Sequence, residues 1–142
     1  MAILGSCLCG NVRFELDSTD GAFETCHCSR CRKVSGSSSL PALSVPEAGF
    51  RFLAGIDAIR SFEAPIMTGP PAYKTFFCGN CGSPTPSPEP GNGHVEIPAG
   101  LLDDTLDREP DRHIYVEYTP AWDTQTDTLP RLTREEVATL RS

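Results

Sequence analysis

No stretch of this chain approaches the roughly 20 apolar residues that a membrane-spanning helix needs, and positive charge is scarce. Twelve Lys and Arg stand against nineteen Asp and Glu, a formal charge of −7 at pH 7. Proteins that neutralise phosphates need the opposite balance, so a nucleic-acid partner is disfavoured, as is a membrane. The opening Met1-Ala2-Ile3-Leu4-Gly5-Ser6 has neither the basic region nor the long apolar core of a secretory signal, which predicts a cytoplasmic protein. No internal repeat, heptad pattern or long linker interrupts the 142 residues, and one domain is expected over residues 1–142. Helix signals are also few.

Cysteine is what the chain has in quantity. Seven of them fall as Cys7-x-Cys9, Cys26-x-Cys28-x2-Cys31 and Cys78-x2-Cys81. A disulfide framework fits poorly with an odd count, one- or two-residue spacings and no secretory signal. In a reducing compartment such clusters ligate metal or do redox chemistry. A structural zinc takes four protein ligands, whereas a catalytic zinc keeps three and leaves a position open. Seven thiols divide into one set of each kind, which points to two zinc ions per chain. With 13 Pro and 12 Gly, the elements must be short, and metal cross-links would add stability to such a domain.

The segments between turns read as strands. Val12, Phe14 and Leu16 alternate with Arg13 and Glu15, the period of a half-buried strand. Phe50-Arg51-Phe52-Leu53 and Ile59-Arg60-Ser61-Phe62 flank Gly55-Ile56-Asp57 and suggest a hairpin. Tyr73-Lys74-Thr75-Phe76-Phe77 runs into Cys78, His94-Val95-Glu96-Ile97 ends at Pro98, and His113-Ile114-Tyr115-Val116-Glu117 is a further strand candidate. The expectation is an all-β domain of short antiparallel strands. Thr133-Arg134-Glu135-Glu136 has capping-box spacing for a short C-terminal helix, with Leu132 placed to staple against Val137. Residues 29–34 suggest a helical turn after Cys28, and residues 83–93, with four prolines and two glycines, are the most loop-like stretch.

Local chemistry suggests which cysteines share a metal. Cys9-Gly10 and Cys81-Gly82 each put glycine directly after the second thiol of a close pair, where a tight turn can aim N–H groups at sulfur. Cys31 is followed by Arg32 and Lys33 instead. We therefore group Cys7, Cys9, Cys78 and Cys81 in a structural zinc site, leaving Cys26, Cys28 and Cys31 for a second zinc.

Three motifs resemble the glutathione-dependent formaldehyde-activating enzymes, a family whose domain also occurs in centromere protein V. They are Gly5-Ser6-Cys7-Leu8-Cys9-Gly10-Asn11-Val12, Cys26-His27-Cys28-Ser29-Arg30-Cys31-Arg32-Lys33-x2-Gly36, and Phe77-Cys78-Gly79-Asn80-Cys81-Gly82. A weaker fourth is His113-Ile114-Tyr115-Val116 followed by Ala121-Trp122 and Leu129-Pro130. The resemblance implies a β-tent of stacked antiparallel sheets, a structural zinc on the quartet and a catalytic zinc on Cys26, Cys28 and Cys31. It also implies a carbon–sulfur lyase activity, written as the reversible condensation of glutathione with formaldehyde to S-hydroxymethylglutathione. Residues 83–93 match no substrate element of the family.

Three thiolates make zinc a modest Lewis acid that still favours a soft fourth ligand, and a substrate thiol suits that position. Zinc would lower the thiol's pKa and hold its sulfur while an aldehyde approaches. The alkoxide that forms needs a donor, and His27, Arg30, Arg32, Lys33 and Ser35 are the nearest in sequence. Of these, His27, Arg32 and Lys33 are singled out as substrate-binding candidates. The bland alternatives are a structural hydrogen bond for His27 and an exposed basic patch for Arg32 and Lys33. A local basic patch in an acidic protein would nonetheless favour an anionic thiol such as glutathione.

His94 and His113 lie in strand-like segments, where core or edge positions are the default. Trp122 and Phe76 read as packing residues. His94-Val95-Glu96 matches the H-x-E of zinc deaminases, but no P-C-x-x-C follows it. Three readings stay open at this level. The first is a zinc lyase acting on a thiol adduct, marked by an exchangeable fourth ligand on the trio. The second is a non-catalytic zinc module for binding or scaffolding, marked by a closed trio. The third is a redox site in which two of the trio form a reversible disulfide and zinc is released.

Overall fold

The computed structural model describes residues 2–64, 73–89 and 91–142. Three sheets and two short helices account for the regular structure among them. Strands β1 (Ile3–Ser6) and β2 (Arg13–Leu16) pair antiparallel, and β5 (Phe50–Ala54) adds to the other side of β2. A five-stranded sheet has the order β10 (Arg131–Leu132), β9 (Arg112–Ile114), β3 (Phe23–Cys26), β4 (Leu40–Pro46), β8 (His94–Pro98). β6 (Ile59–Ala64) and β7 (Tyr73–Cys78) form a separate antiparallel ladder. The fold is thus mostly β. Among the described residues no helix is long and apolar enough to cross a membrane.

The period-2 pattern seen in β2 does what it predicts. Phe14 and Leu16 point inward and are buried, together with Phe23, Leu43, Val45, Val95 and Ile97 from the five-stranded sheet. The main core therefore lies between β2 and the β3–β4–β8 face. Each such side chain withdrawn from water stabilises the fold by about 1.5–3 kcal/mol. A second, smaller cluster consists of Val12, Cys7 and Cys78, with Phe52, Ile59 and Cys81 packed against it. Two of the seven cysteines are thus core residues.

Helix α1 (Ser29–Ser35) follows β3 directly, with Cys28 as its N-cap and Gly36 closing it in a left-handed conformation at φ 67°. Helix α2 (Arg134–Leu140) carries the predicted capping box: the Thr133 hydroxyl accepts the Glu136 N–H, and the Glu136 carboxylate accepts that of Thr133. Val137 is its buried residue.

Four expectations are corrected. Residues 50–53 and 59–62 do not form a hairpin with each other. Gly55, at φ 80°, and a 3-10 turn over Ile56–Ala58 carry the chain from the β2 sheet into the β6–β7 ladder. A Cβ on Gly55 would lie 2.0 Å from the Asn11 carbonyl oxygen, so the crossing depends on glycine. The strand expected over residues 113–117 stops at Ile114, because Tyr115 adopts φ 55° and a 3-10 turn follows over Val116–Tyr118. That strand also runs parallel to both β3 and β10, so the sheets are not all antiparallel. Trp122, read as a packing residue, is 73% exposed. In the loop-like stretch of residues 83–93, residue 90 lies outside the described residues.

Candidate metal centres and the cavity beside them

Sulfur atoms from the start and the middle of the chain meet at the first site. The turn after β1 carries Cys7 and Cys9, the end of β7 carries Cys78 and Cys81, and all four Sγ atoms lie within 4.8 Å of one another. Cys7 Sγ is 3.6 Å from Cys9 Sγ, which is 3.9 Å from Cys78 Sγ. Gly10 and Gly82 take φ 78° and 80°, and each donates its N–H to the carbonyl of the first cysteine of its pair, at 3.0 and 2.8 Å. The glycines thus close the turns, while the residues beyond them face sulfur. The Val12 N–H donates to Cys7 Sγ at 3.3 Å. The Asn80 side chain, and after it the Asn11 N–H, hold the Cys9 thiol below its ordinary range. Ser83 Oγ accepts the Leu8 N–H at 2.9 Å and lies 3.4 Å from Cys81 Sγ. Its own proton is therefore available to the sulfur, and with the Ser83 N–H it brings Cys81 down to about 5. This is a donor set prepared for negative sulfur.

The second site is half-buried throughout, whereas the first joins buried Cys7 and Cys78 to half-buried Cys81 and exposed Cys9. Cys26 ends β3, Cys28 caps α1, Cys31 lies in its first turn, and the three sulfurs are within 4.8 Å of one another. All three residues are half-buried, in contrast to the fully buried Cys78. Cys28 is held down to about 2 by hydrogen bonds from the Cys26 and Cys31 thiols, and further by the Cys31 and Arg30 N–H groups. The Cys31 N–H lies 3.4 Å from Cys28 Sγ. Cys26 is pushed up to about 12 by the bond it donates to Cys28, and Cys31 is raised in the same way by its bonds to Cys26 and Cys28. The three sulfurs share protons, and Cys28 is the thiol that ionises most readily. Ionising the rest needs a cation among them. Both clusters could hold a metal ion.

Between Cys26 and Cys28, His27 turns inward and is buried. Its Nε2 is 2.9 Å from His113 Nδ1, and His113 Nε2 is 2.9 Å from Asp127 Oδ2. The carboxylate only accepts, so His113 donates from Nε2 and accepts at Nδ1, and His27 donates from Nε2. Gln125 Nε2 completes the chain, 3.2 Å from His27 Nδ1 and 3.1 Å from Asp123 Oδ2. Burial, reinforced by His113, holds the His27 pKa below the ordinary imidazole value. His27 is thus favoured as a neutral ring.

The remaining basic candidates separate. Arg30 and Lys33 line a cavity of about 300 Å³ between α1 and the β6–β7 ladder, together with Ser29, Val34, Phe62 and Tyr73. The Arg30 guanidinium lies 5.1 Å from the centre of the Tyr73 ring. Arg32 is not on that lining, and its buried Nε has no hydrogen-bond partner among the described residues. Ser35 is occupied at the end of α1, donating to the Cys31 carbonyl at 2.8 Å. Tyr73 had no local signal as a site residue. Burial, and after it the charge on Cys31, Cys28 and Cys26, raises its phenol above the ordinary value, so its hydroxyl stays protonated. It makes no hydrogen bond among the described residues. His94 lies exposed on β8, at one edge of the five-stranded sheet, whereas His113 is a core residue.

A family profile described as glutathione-dependent formaldehyde-activating enzyme matches residues 2–118. The chain belongs to this family. A Halomonas elongata protein named "Putative glutathione-dependent formaldehyde-activating enzyme" is 32% identical over 127 residues, covering 86% of this chain and 80% of the relative. The crystal structure of a Rhodobacter sphaeroides protein matches with a TM-score of 0.54 at 22% identity, over 73% of this chain and 91% of the other. At that identity the likeness concerns the fold alone. The family match takes in all seven cysteines, Arg30, Lys33, Tyr73 and His113, but ends before Gln125, Asp127 and α2.

Proposed function

We propose that this chain is a single-domain, cytoplasmic β-tent protein with two zinc ions, which joins a thiol such as glutathione to formaldehyde or a related aldehyde, and reverses that reaction, at Cys26, Cys28 and Cys31. The observation that carries this reading is the contrast between the clusters. Cys7 and Cys78 are built into a hydrophobic core, as a structural site requires, with Cys9 at its exposed rim, whereas no cysteine of the trio is a core residue and the helix that carries Cys31 lines a cavity. The donor sets fit the metal, because closely spaced thiols with N–H groups aimed at them suit a soft dication. Bound at the trio, zinc would lower the pKa of a substrate thiol and keep its sulfur nucleophilic.

The chain's own residues supply the rest. His27, locked inward by His113, fixes the turn that carries Cys26 and Cys28 and does not itself face substrate. Arg30 and Lys33 offer positive charge to the carboxylates of an anionic thiol, and Arg32 stands on the same helix as a further candidate. The Tyr73 hydroxyl is free to donate a hydrogen bond to the oxygen that gains charge as the carbonyl is attacked.

Cobalt substitution tests this reading. The expected result is two tetrahedral sites per chain, with one absorption band shifting when glutathione is added. A spectrum that glutathione leaves unchanged would overturn it and favour a zinc-stabilised binding module.

A further inference from the structure

The cavity beside the trio is one that formaldehyde would leave nearly empty. At about 300 Å³ it is at the lower end of the range for small-molecule sites. Val34 of α1, with Phe62, Ala64 and Tyr73 of the β6–β7 ladder, gives it an apolar wall. Ser29 and Arg30, the two residues between Cys28 and Cys31, also line it, so it runs along the helix that carries two of the three sulfurs. Phe62 is 59% exposed, a large apolar ring left to solvent on the lining. Arg30 and Lys33 sit on the same lining, and among the described residues neither forms an ion pair. In a chain of net charge −7, two uncompensated cations at one apolar cavity call for an anionic ligand with an apolar part.

We propose that this cavity is a substrate subsite for the apolar substituent of an aldehyde larger than formaldehyde, carried by an anionic thiol whose carboxylate meets Arg30 and Lys33. The inference rests on the thiol–aldehyde reading above and narrows its aldehyde. In the addition, the thiol sulfur attacks the carbonyl carbon and a C–S bond forms. The π pair of the C=O bond moves to oxygen, which ends with the proton the thiol gave up. No oxidant or reductant is needed. The carbinol carbon then bears two hydrogens if the aldehyde was formaldehyde, and one hydrogen and one substituent otherwise. Only the second adduct has a group with which to cover Phe62, Val34 and the Tyr73 ring.

The test is calorimetric titration of the zinc-loaded full chain with S-methylglutathione and S-benzylglutathione, unreactive thioethers that share their carboxylates and differ in the apolar group. The benzyl compound is expected to bind at least about tenfold more tightly, since a buried phenyl ring removes much more apolar surface from water than a methyl. Phe62→Ser should abolish most of that preference, and Lys33→Glu should weaken both. Because both side chains are at least partly exposed, circular dichroism should confirm that these variants fold. Equal binding, a preference for the methyl compound, or a benzyl preference that survives Phe62→Ser would overturn the subsite. If neither compound binds, the subsite also falls. The cobalt spectrum with free glutathione then decides separately about the thiol reading, which a shifted band preserves.

Discussion

His27 donates from Nε2 to Nδ1 of His113, 2.9 Å away and out of contact with solvent. The bond joins the one residue between Cys26 and Cys28 to a strand 86 residues later, and through His113 to Asp127. It adds to the strand pairing there, in which the His27 N–H donates to the Ile114 carbonyl at 3.0 Å. Backbone and side chain of His27 are therefore both fixed by β9, and so is the turn that sets the spacing of two candidate ligands.

Removing the acceptor should be costly. His113→Ala leaves the buried His27 N–H without a partner and opens space beside it, and a loss of about 1–3 kcal/mol is expected for the unsatisfied donor. Asp127→Asn keeps an acceptor for His113 and should cost less than about 1 kcal/mol. Urea unfolding of the two zinc-loaded variants against the parent checks the order; equal losses would mean that the charge on Asp127, rather than the chain of bonds, matters.

The two clusters should respond differently to loss of a sulfur. Cys78→Ser removes a fully buried thiol from the core cluster around Val12 and is expected to unfold the domain or destabilise it by about 3 kcal/mol or more, as loss of a structural metal does. Cys28→Ser should lower bound zinc from two to one per chain and leave the far-ultraviolet circular dichroism mostly intact. Zinc analysis alongside thermal melting distinguishes these outcomes, and equal loss of metal and structure in both would refute the division into structural and catalytic sites.

Acid stability should depend on Asp111. Its carboxylate accepts the Phe23 N–H at 2.9 Å and an Arg108 N–H at 2.6 Å, which together hold its pKa below the usual carboxylate range. A depressed folded-state pKa gives stability that is present above the unfolded value, near 3.9, and lost as pH falls through the folded one. Because the group is partly open to solvent, the effect should be about 1 kcal/mol or less. Urea midpoints for Asp111→Asn should lie below the parent at pH 6 and converge with it below about pH 4; a gap independent of pH would exclude ionisation as its source.

What could be read from the chain alone was what is encoded locally. Cysteine spacing, the glycines behind Cys9 and Cys81, the alternation Val12-Phe14-Leu16 and the capping box at Thr133 each express one turn, one face or one helix end. The misread features depend on distant partners. Residues 50–53 and 59–62 look like hairpin arms, yet the first extends β2 and the second pairs with β7. The segment after Ile114 has strand-like composition, but Tyr115 turns out of the ladder with a positive φ that no propensity would assign to it. The roles of Tyr73, Gln125 and Asp127 were invisible for the same reason. Gln125 meets His27 across 98 residues of sequence, and Tyr73 enters the cavity because the crossing at Gly55 delivers the β6–β7 ladder to α1.

Gly10 and Gly82 allow a test of backbone geometry without a change in packing. Both have φ near 80°, and an added Cβ would meet nothing within 4 Å at either position. The cost of Gly82→Ala is therefore conformational, about 1 kcal/mol for a left-handed alanine. In the metal-loaded chain that cost should weaken zinc retention by the quartet about fivefold. Gly82→Asn, whose side chain tolerates the left-handed region better, should fall between parent and alanine. Competition with a chromophoric chelator measures the order. An alanine variant that holds zinc as tightly as the parent would mean that the turn relaxes freely, and that the N–H groups beyond the glycine are not what hold the sulfur of Cys81.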